Sequence, residues 1–226
     1  ENLGVKRTEG TIVEVKQHRE NSFIKSVLLA SGEEISGELF IDCSGMRGLL
    51  IEETLKTGFE DWSHWLPCDS AITVPSKRTE PLIPYTRSTA HQSGWQWRIP
   101  LQHRTGNGHV YASAFSSEQQ AQDTLIQNIE GELLAQPRLI KFATGKRKKV
   151  WNRNCVAIGL SAGFLEPLES TSLYLVQTAI TRLINLFPDN TFNQANIDHY
   201  NRQTDFEIEK IRDFIIAHYK VTQRDD

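Results

Sequence analysis

Between Leu173 and Phe187 the apolar residues Leu173, Val176, Ile180, Leu183, Ile184 and Phe187 recur at steps of mostly three and four. This spacing predicts an amphipathic helix with that stripe facing a core, stopped by Pro188. A second helix is expected over residues 118–134, with Leu125, Ile129 and Leu133 on one face, and a third from about 193 to 219. Elsewhere the pattern shortens to strand length. Residues 11–15 and 24–30 read as antiparallel strands, and Ser31-Gly32-Glu33-Glu34 supplies the turn chemistry. Residues 39–43 form a nearly continuous apolar run ending at Ser44-Gly45, the signature of a strand buried on both faces of a parallel sheet. From residue 69 to 115 the chain changes character. Short β-like runs at 70–74, 95–101 and 108–115 are punctuated by Pro, Gly and Ser and predict a second, antiparallel sheet. Further strands are expected at 139–144, 149–151 and 155–158. The fold class is therefore α/β (α+β), with two kinds of sheet.

Composition narrows the function classes. With 226 residues, 38% hydrophobic and 23% charged, the chain has the balance of a globular protein with one or two cores. A net charge of -3 gives no general field for nucleic acid or an anionic membrane surface. No apolar run approaches the roughly 20 residues that span a bilayer. Three widely separated cysteines, Cys43, Cys68 and Cys155, form no CxxC pair, and the seven histidines offer no paired-ligand spacing. No metal site is expected, and a reducing, cytoplasmic location fits best. The run Lys146-Arg147-Lys148-Lys149 is read as a solvated hairpin edge that discourages aggregation, in preference to a nucleic-acid patch. No initiator Met precedes Glu1, and the sequence reads as a fragment of something longer.

Candidate chemistry concentrates in residues 159–172. A short strand feeds Gly159-Leu160-Ser161-Ala162-Gly163, and Phe164-Leu165-Glu166-Pro167-Leu168-Glu169-Ser170-Thr171-Ser172 leads into the first predicted helix. A helix N-terminus after a glycine turn presents free N–H groups and a positive dipole end to an anion. A carboxylate in that first turn either stabilises the dipole, with Ser170 or Thr171 as an ordinary cap, or acts as a base beside an anion site. Ligands of α/β sheets bind beyond the carboxyl ends of strands, so Ser44, Gly45 and Gly48 either receive a ligand or serve the turn alone. Trp95 and Trp97, two residues apart on one strand face, either build core or line an apolar pocket.

Together these stretches resemble the flavin-dependent halogenases, in particular the tryptophan halogenase family. Gly94-Trp95-Gln96-Trp97-Arg98-Ile99-Pro100 matches that family's G-W-x-W-x-I-P signature, and residues 164–171 match its E-P-L-E-S-T stretch. Phe40-Ile41-Asp42-Cys43-Ser44-Gly45 resembles the strand end shared with related flavin monooxygenases. The resemblance implies an FAD-binding core of glutathione-reductase or hydroxylase type with an inserted antiparallel substrate sheet. Residues 1–55 and 150–190 would be parts of the FAD domain, 56–149 the inserted sheet, and 191–226 the start of a C-terminal helical region. It implies that FADH2 from a separate flavin reductase, oxygen and chloride or bromide halogenate a small electron-rich aromatic such as tryptophan or indole. Carried over, Glu169 is the catalytic carboxylate, with Glu166 its competitor. The amides of Thr171 and Ser172 hold halide. Ser44, Gly45, Gly159, Gly163 and Pro167 lie against FAD, and Trp95 and Trp97 lie near the flavin edge. A homodimer is left open, and neither nucleic acid nor membrane is expected as a partner. The family's G-x-G-x-x-G fingerprint and lysine motif are absent from this sequence, and Ser172 stands where the best-known members carry Gly. An aromatic hydroxylase and a non-catalytic flavoprotein remain the alternatives.

Overall fold

The computed structural model describes residues 3–224. In chain order the strands are β1 (Ile12–Gln17), β2 (Ile24–Leu29), β3 (Glu34–Ser36), β4 (Phe40–Asp42), β5 (Phe59–Asp61), β6 (Ser70–Ser76), β7 (Arg87–His91), β8 (Gly94–Pro100), β9 (Thr105–Tyr111), β10 (Arg138–Lys141), β11 (Gly145–Arg147), β12 (Trp151–Asn152), β13 (Cys155–Ala157) and β14 (Gly163–Phe164). The α-helices are α1 (Glu118–Gln127), α2 (Ser172–Asn185) and α3 (Gln194–Lys220). The chain divides into two compact units. One runs through Phe59 and includes Arg147–Ala162 and Leu173–Glu207; the other holds Glu60–Lys146, Gly163–Ser172 and the chain from Ile208 on.

The first unit contains an antiparallel meander, β1-β2-β3, and a second sheet in the order β12-β13-β4. β4 and β13 are parallel, with Phe40, Ile41 and Asp42 opposite Cys155, Val156 and Ala157. Asn154 ties the two sheets' entry points: its Oδ1 accepts from the Ile24 N–H and its Nδ2 donates to the Ile24 and Glu38 carbonyls. One core gathers Ile24, Val27, Leu50, Ile51, Leu55, Cys155 and Ala157; another gathers Trp151, Val156, Ile158, Ala179, Leu183 and Tyr200. Each fully buried large apolar side chain contributes about 1.5–3 kcal/mol.

Three expectations are corrected in this unit. β4 is parallel as read but is not buried on both faces, because Ile41 is 41% exposed. α2 forms where the periodicity placed it, yet its buried residues are Ala179 and Leu183, while Leu173, Ile180, Ile184 and Phe187 are exposed. The packed face is rotated toward Ala179, whose small side chain lets Tyr200 approach and donate to its carbonyl at 3.3 Å. The basic run is not a solvated edge throughout. Lys148 and Lys149 are exposed, but Arg147 is buried, donating to the Ser161 and Met46 carbonyls at 3.0 and 2.8 Å and pairing with Glu52.

The second unit is built on a five-stranded antiparallel sheet ordered β10-β6-β9-β8-β7. α1 covers one face with Ala121 and Leu125 against Ile72, Val74 and Tyr111. Its start is a capping box: Ser117 accepts from the Gln120 N–H while Gln120 accepts from the Ser117 N–H. The helix ends at Gln127, well before the expected 134, because Gly131 takes a φ of 89° and turns the chain to pair Leu133 with Ser76. Another cluster joins Cys68, Ala71, Trp95, Val110 and Phe142, with Trp97, Phe164 and Leu168 packed against it. β9 begins at Thr105, three residues before the expected start, since Pro100↔Thr105 closes its hairpin with β8. Lys146, the first residue of the basic run, is buried here and pairs with Glu60.

Candidate active site

In the first unit, Ser44-Gly45 follows β4 and Gly159 follows β13. Because these strands are parallel neighbours in register, both turns lie at their carboxyl ends. Asp42 organises the first turn. Its Oδ1 accepts from the N–H and hydroxyl of Ser44 at 2.9 and 2.6 Å, and its Oδ2 accepts from the Leu50 and Ile51 N–H groups, both at 2.8 Å. Ser44 is thus committed to building the loop, its oxygen also accepting from the Leu49 N–H. Ser161 donates to the Asp42 and Ile158 carbonyls and joins the second turn to the first.

Gly45 and Gly159 have φ values of 81° and 73°. A Cβ on Gly45 would meet nothing within 4 Å, and one on Gly159 only a Val176 methyl at 3.6 Å. Open space over two left-handed glycines at the ends of parallel strands fits a bulky ligand laid against backbone. Gly163, in the second unit, has another reason to be glycine. A Cβ there would fall 2.5 Å from the Gly145 carbonyl oxygen, so the pairing of β14 with β11 requires it.

The second unit contains Trp95, Trp97, Pro167, Glu169, Thr171 and Ser172. Residues 167–169 form a 3-10 turn, Ser170 closes it at φ 54°, and α2 starts two residues later at Ser172. Proline opens the turn at its first position, where its missing N–H costs no bond. Ser170, in the left-handed region, separates the turn from α2, whose first N–H groups lack intrahelical partners. Trp95 and Trp97 lie with ring centroids 6.0 Å apart, in the cluster that also takes Phe164 and Leu168 from either side of Leu165-Glu166-Pro167. A Cβ on Gly108, directly across from Trp97, would strike its ring at 2.0 Å, so glycine makes room for the indole.

The two glutamates of the turn differ sharply. Glu166 is 1% exposed; its Oε1 accepts from the Tyr219 hydroxyl at 2.5 Å, and its Oε2 has no hydrogen-bond partner among the described residues. The Trp95 Nε1–H is buried and, among the described residues, makes no hydrogen bond. Burial pushes the Glu166 carboxyl above the ordinary carboxylate range, against the opposing pull of Tyr219, Cys68 and Trp95. Burial, with the Glu166 charge adding to it, raises the Tyr219 phenol, and burial raises the Cys68 thiol. Glu169, by contrast, keeps 35% of its side chain exposed, and its Oε1 lies 2.7 Å from His218 Nε2. His218 and Tyr219 carry no local signal of these contacts. They lie 49 and 53 residues away from their glutamates, and only the course of α3 brings them there.

The tryptophan halogenase family model matches residues 1–226. The chain is 37% identical to the tryptophan 7-halogenase RebH of Lentzea aerocolonigenes, an alignment covering 100% of this chain and 43% of RebH. A solved flavin-dependent halogenase, BrvH from a Brevundimonas species, is 50% identical with a TM-score of 0.96, covering 99% of this chain and 46% of that one. Another, from Xanthomonas campestris, is 45% identical with a TM-score of 0.97, covering 100% and 45%. The chain thus spans less than half the length of these relatives.

Proposed function

The chain belongs to the tryptophan halogenase family, and from that premise we propose that it contributes the general base and anion-binding turn of a flavin-dependent halogenase acting on an electron-rich aromatic such as tryptophan or indole. The observation that carries this reading is the contrast within one turn. Glu166 is sealed, whereas Glu169 is accessible and stands directly before Ser170 and the start of α2. A base must reach the proton it removes, and only Glu169 meets that requirement.

In this reading ring π electrons form the carbon–halogen bond first, the halogen leaving its carrier and the ring becoming cationic. Glu169 then accepts the ring proton, and the electron pair of the broken C–H bond restores aromaticity. Before that step its negative charge stabilises the cationic ring. The amides of Thr171 and Ser172 hold chloride or bromide at the helix N-terminus. Trp95 and Trp97 supply an apolar wall that excludes water. FAD would be held by backbone at Gly45 and Gly159, with Ser44 shaping the first loop; Gly163 and Pro167 are carried over from the family resemblance as further FAD contacts. When bound and reduced by a separate flavin reductase, FAD supplies with oxygen the oxidising equivalents that turn halide into an electrophilic halogen. Residues 1–55 and 150–190 then belong to the FAD domain, 56–149 to the substrate sheet and 191–226 to the C-terminal helical region, whose last two residues lie outside those described, as do the first two of the FAD part. Among the described residues no helix is long and apolar enough to cross a membrane.

The test is incubation of the complete gene product with FAD, a flavin reductase, NADH, bromide and a panel of tryptophan, indole and phenols. A product bearing the paired-isotope mass signature of one bromine is expected. Addition of oxygen without bromine would instead assign a hydroxylase.

A further inference from the structure

Two adjacent residues near the end of α3 meet the two carboxylates that bracket the turn at 167–169. His218 Nε2 lies 2.7 Å from Glu169 Oε1, and the Tyr219 hydroxyl donates to Glu166 Oε1 at 2.5 Å. The proton on His218 can be placed from its other contact. Nδ1 is 2.8 Å from the Phe214 carbonyl oxygen, which can only accept, so Nδ1 carries an N–H. The short contact at Nε2 then holds one proton between the ring nitrogen and the carboxyl oxygen, since two lone pairs would repel at that distance. The Phe214 ring stands edge-on to the imidazole, with centroids 4.7 Å apart and an interplanar angle of 84°, and restricts its rotation. His218 is therefore oriented on two sides, and it grips Glu169 at Oε1. Oε2 is left as the oxygen that can turn toward a substrate ring. Tyr219 ties the same helix end to Glu166, a separate contact that does not touch Glu169.

We propose that His218 is the positioning residue for Glu169, fixing through its Nε2 contact the carboxylate oxygen that takes the ring proton. The proposal rests on the reading of Glu169 as the base. A misplacement of about 1 Å at a reacting group costs on the order of 100-fold in rate, and a group acting only through Glu169 should show its effect in kcat.

The test uses the complete gene product, assayed for brominated product and, separately, for flavin-dependent oxygen consumption. His218→Ala should lower kcat for bromination by about 10- to 100-fold, with KM for the aromatic substrate changed less than about threefold and oxygen consumption retained. His218→Gln, whose amide N–H replaces the Nε2 donor, should recover most of the lost rate. The double variant His218→Ala with Glu169→Gln should be no slower than Glu169→Gln alone, because the histidine acts through the carboxylate. Parental kcat in His218→Ala, or equal losses in His218→Ala and His218→Gln, would overturn the positioning role while leaving the base assignment intact. Full bromination by Glu169→Gln alone would instead overturn the base assignment on which it rests. Circular dichroism of Tyr219→Phe, which removes the neighbouring tether, separates a disordered helix end from loss of the histidine contact: a folded Tyr219→Phe that keeps kcat supports the proposal, and one that matches His218→Ala in kcat contradicts it.

Discussion

Asp42 and Glu166 are equally buried carboxyls, each 1% exposed, in surroundings that could hardly differ more. Asp42, in the first unit, accepts four hydrogen bonds, three of them from backbone N–H groups, and so defines the turn after β4. Glu166, in the second unit, accepts one from Tyr219, and its Oε2 has no hydrogen-bond partner among the described residues. A carboxylate surrounded by amide donors organises backbone as a charged acceptor. One surrounded by side chains in a dry pocket is driven toward its neutral form. Position in a motif does not reveal which environment a carboxyl will find.

Replacing each by its amide should separate the two cases. Asp42→Asn puts an NH2 where an oxygen accepts from buried or half-buried N–H groups, and we expect a loss of about 3 kcal/mol in unfolding free energy, read from urea unfolding. A loss below about 1 kcal/mol would show that the turn does not depend on those bonds. Gly108→Ala should come next. Its methyl would occupy the position of the Trp97 ring and displace it, costing about 1–3 kcal/mol and shifting tryptophan fluorescence. Unchanged fluorescence would mean that the ring has free room.

The smallest effect concerns pH. Below the ordinary carboxylate range Glu166 is protonated in both folded and unfolded chains, and its contribution is complete. As pH rises above that range the unfolded chain ionises first, so stability falls until the folded carboxyl itself titrates. Glu166→Gln cannot ionise and should flatten that part of the stability profile. Parallel profiles for Glu166→Gln and the parent would contradict a neutral Glu166.

The sequence foretold local structure where local rules decide it. The β1–β2 pair, a strand of parallel type at β4, a strand near 95–101 with both indoles on one face, and α2 and α3 follow from period and turn chemistry, whereas β3 and the pairing of β4 with β13 came from the structure. It misled where packing overrides period. The most hydrophobic face of α2 is not its buried one, because Ala179 permits the closer approach. Arg147 reads as surface charge but satisfies carbonyls of two turns from inside the first unit. At the candidate site, the motif pointed to Glu169 over Glu166, and their exposures supply the physical difference. His218 and Tyr219 could not be read as their partners, since contacts across about fifty residues leave no spacing to recognise.

The most direct measurement is bromination by Glu169→Gln in the complete gene product, with oxygen consumption followed in parallel. If Glu169 is the base, product formation should fall by about 100- to 10,000-fold while flavin-dependent oxygen consumption stays within about twofold of the parent. Bromination at the parental rate would contradict the account, and joint loss of bromination and oxygen consumption would make Glu169 a structural residue of the cofactor site.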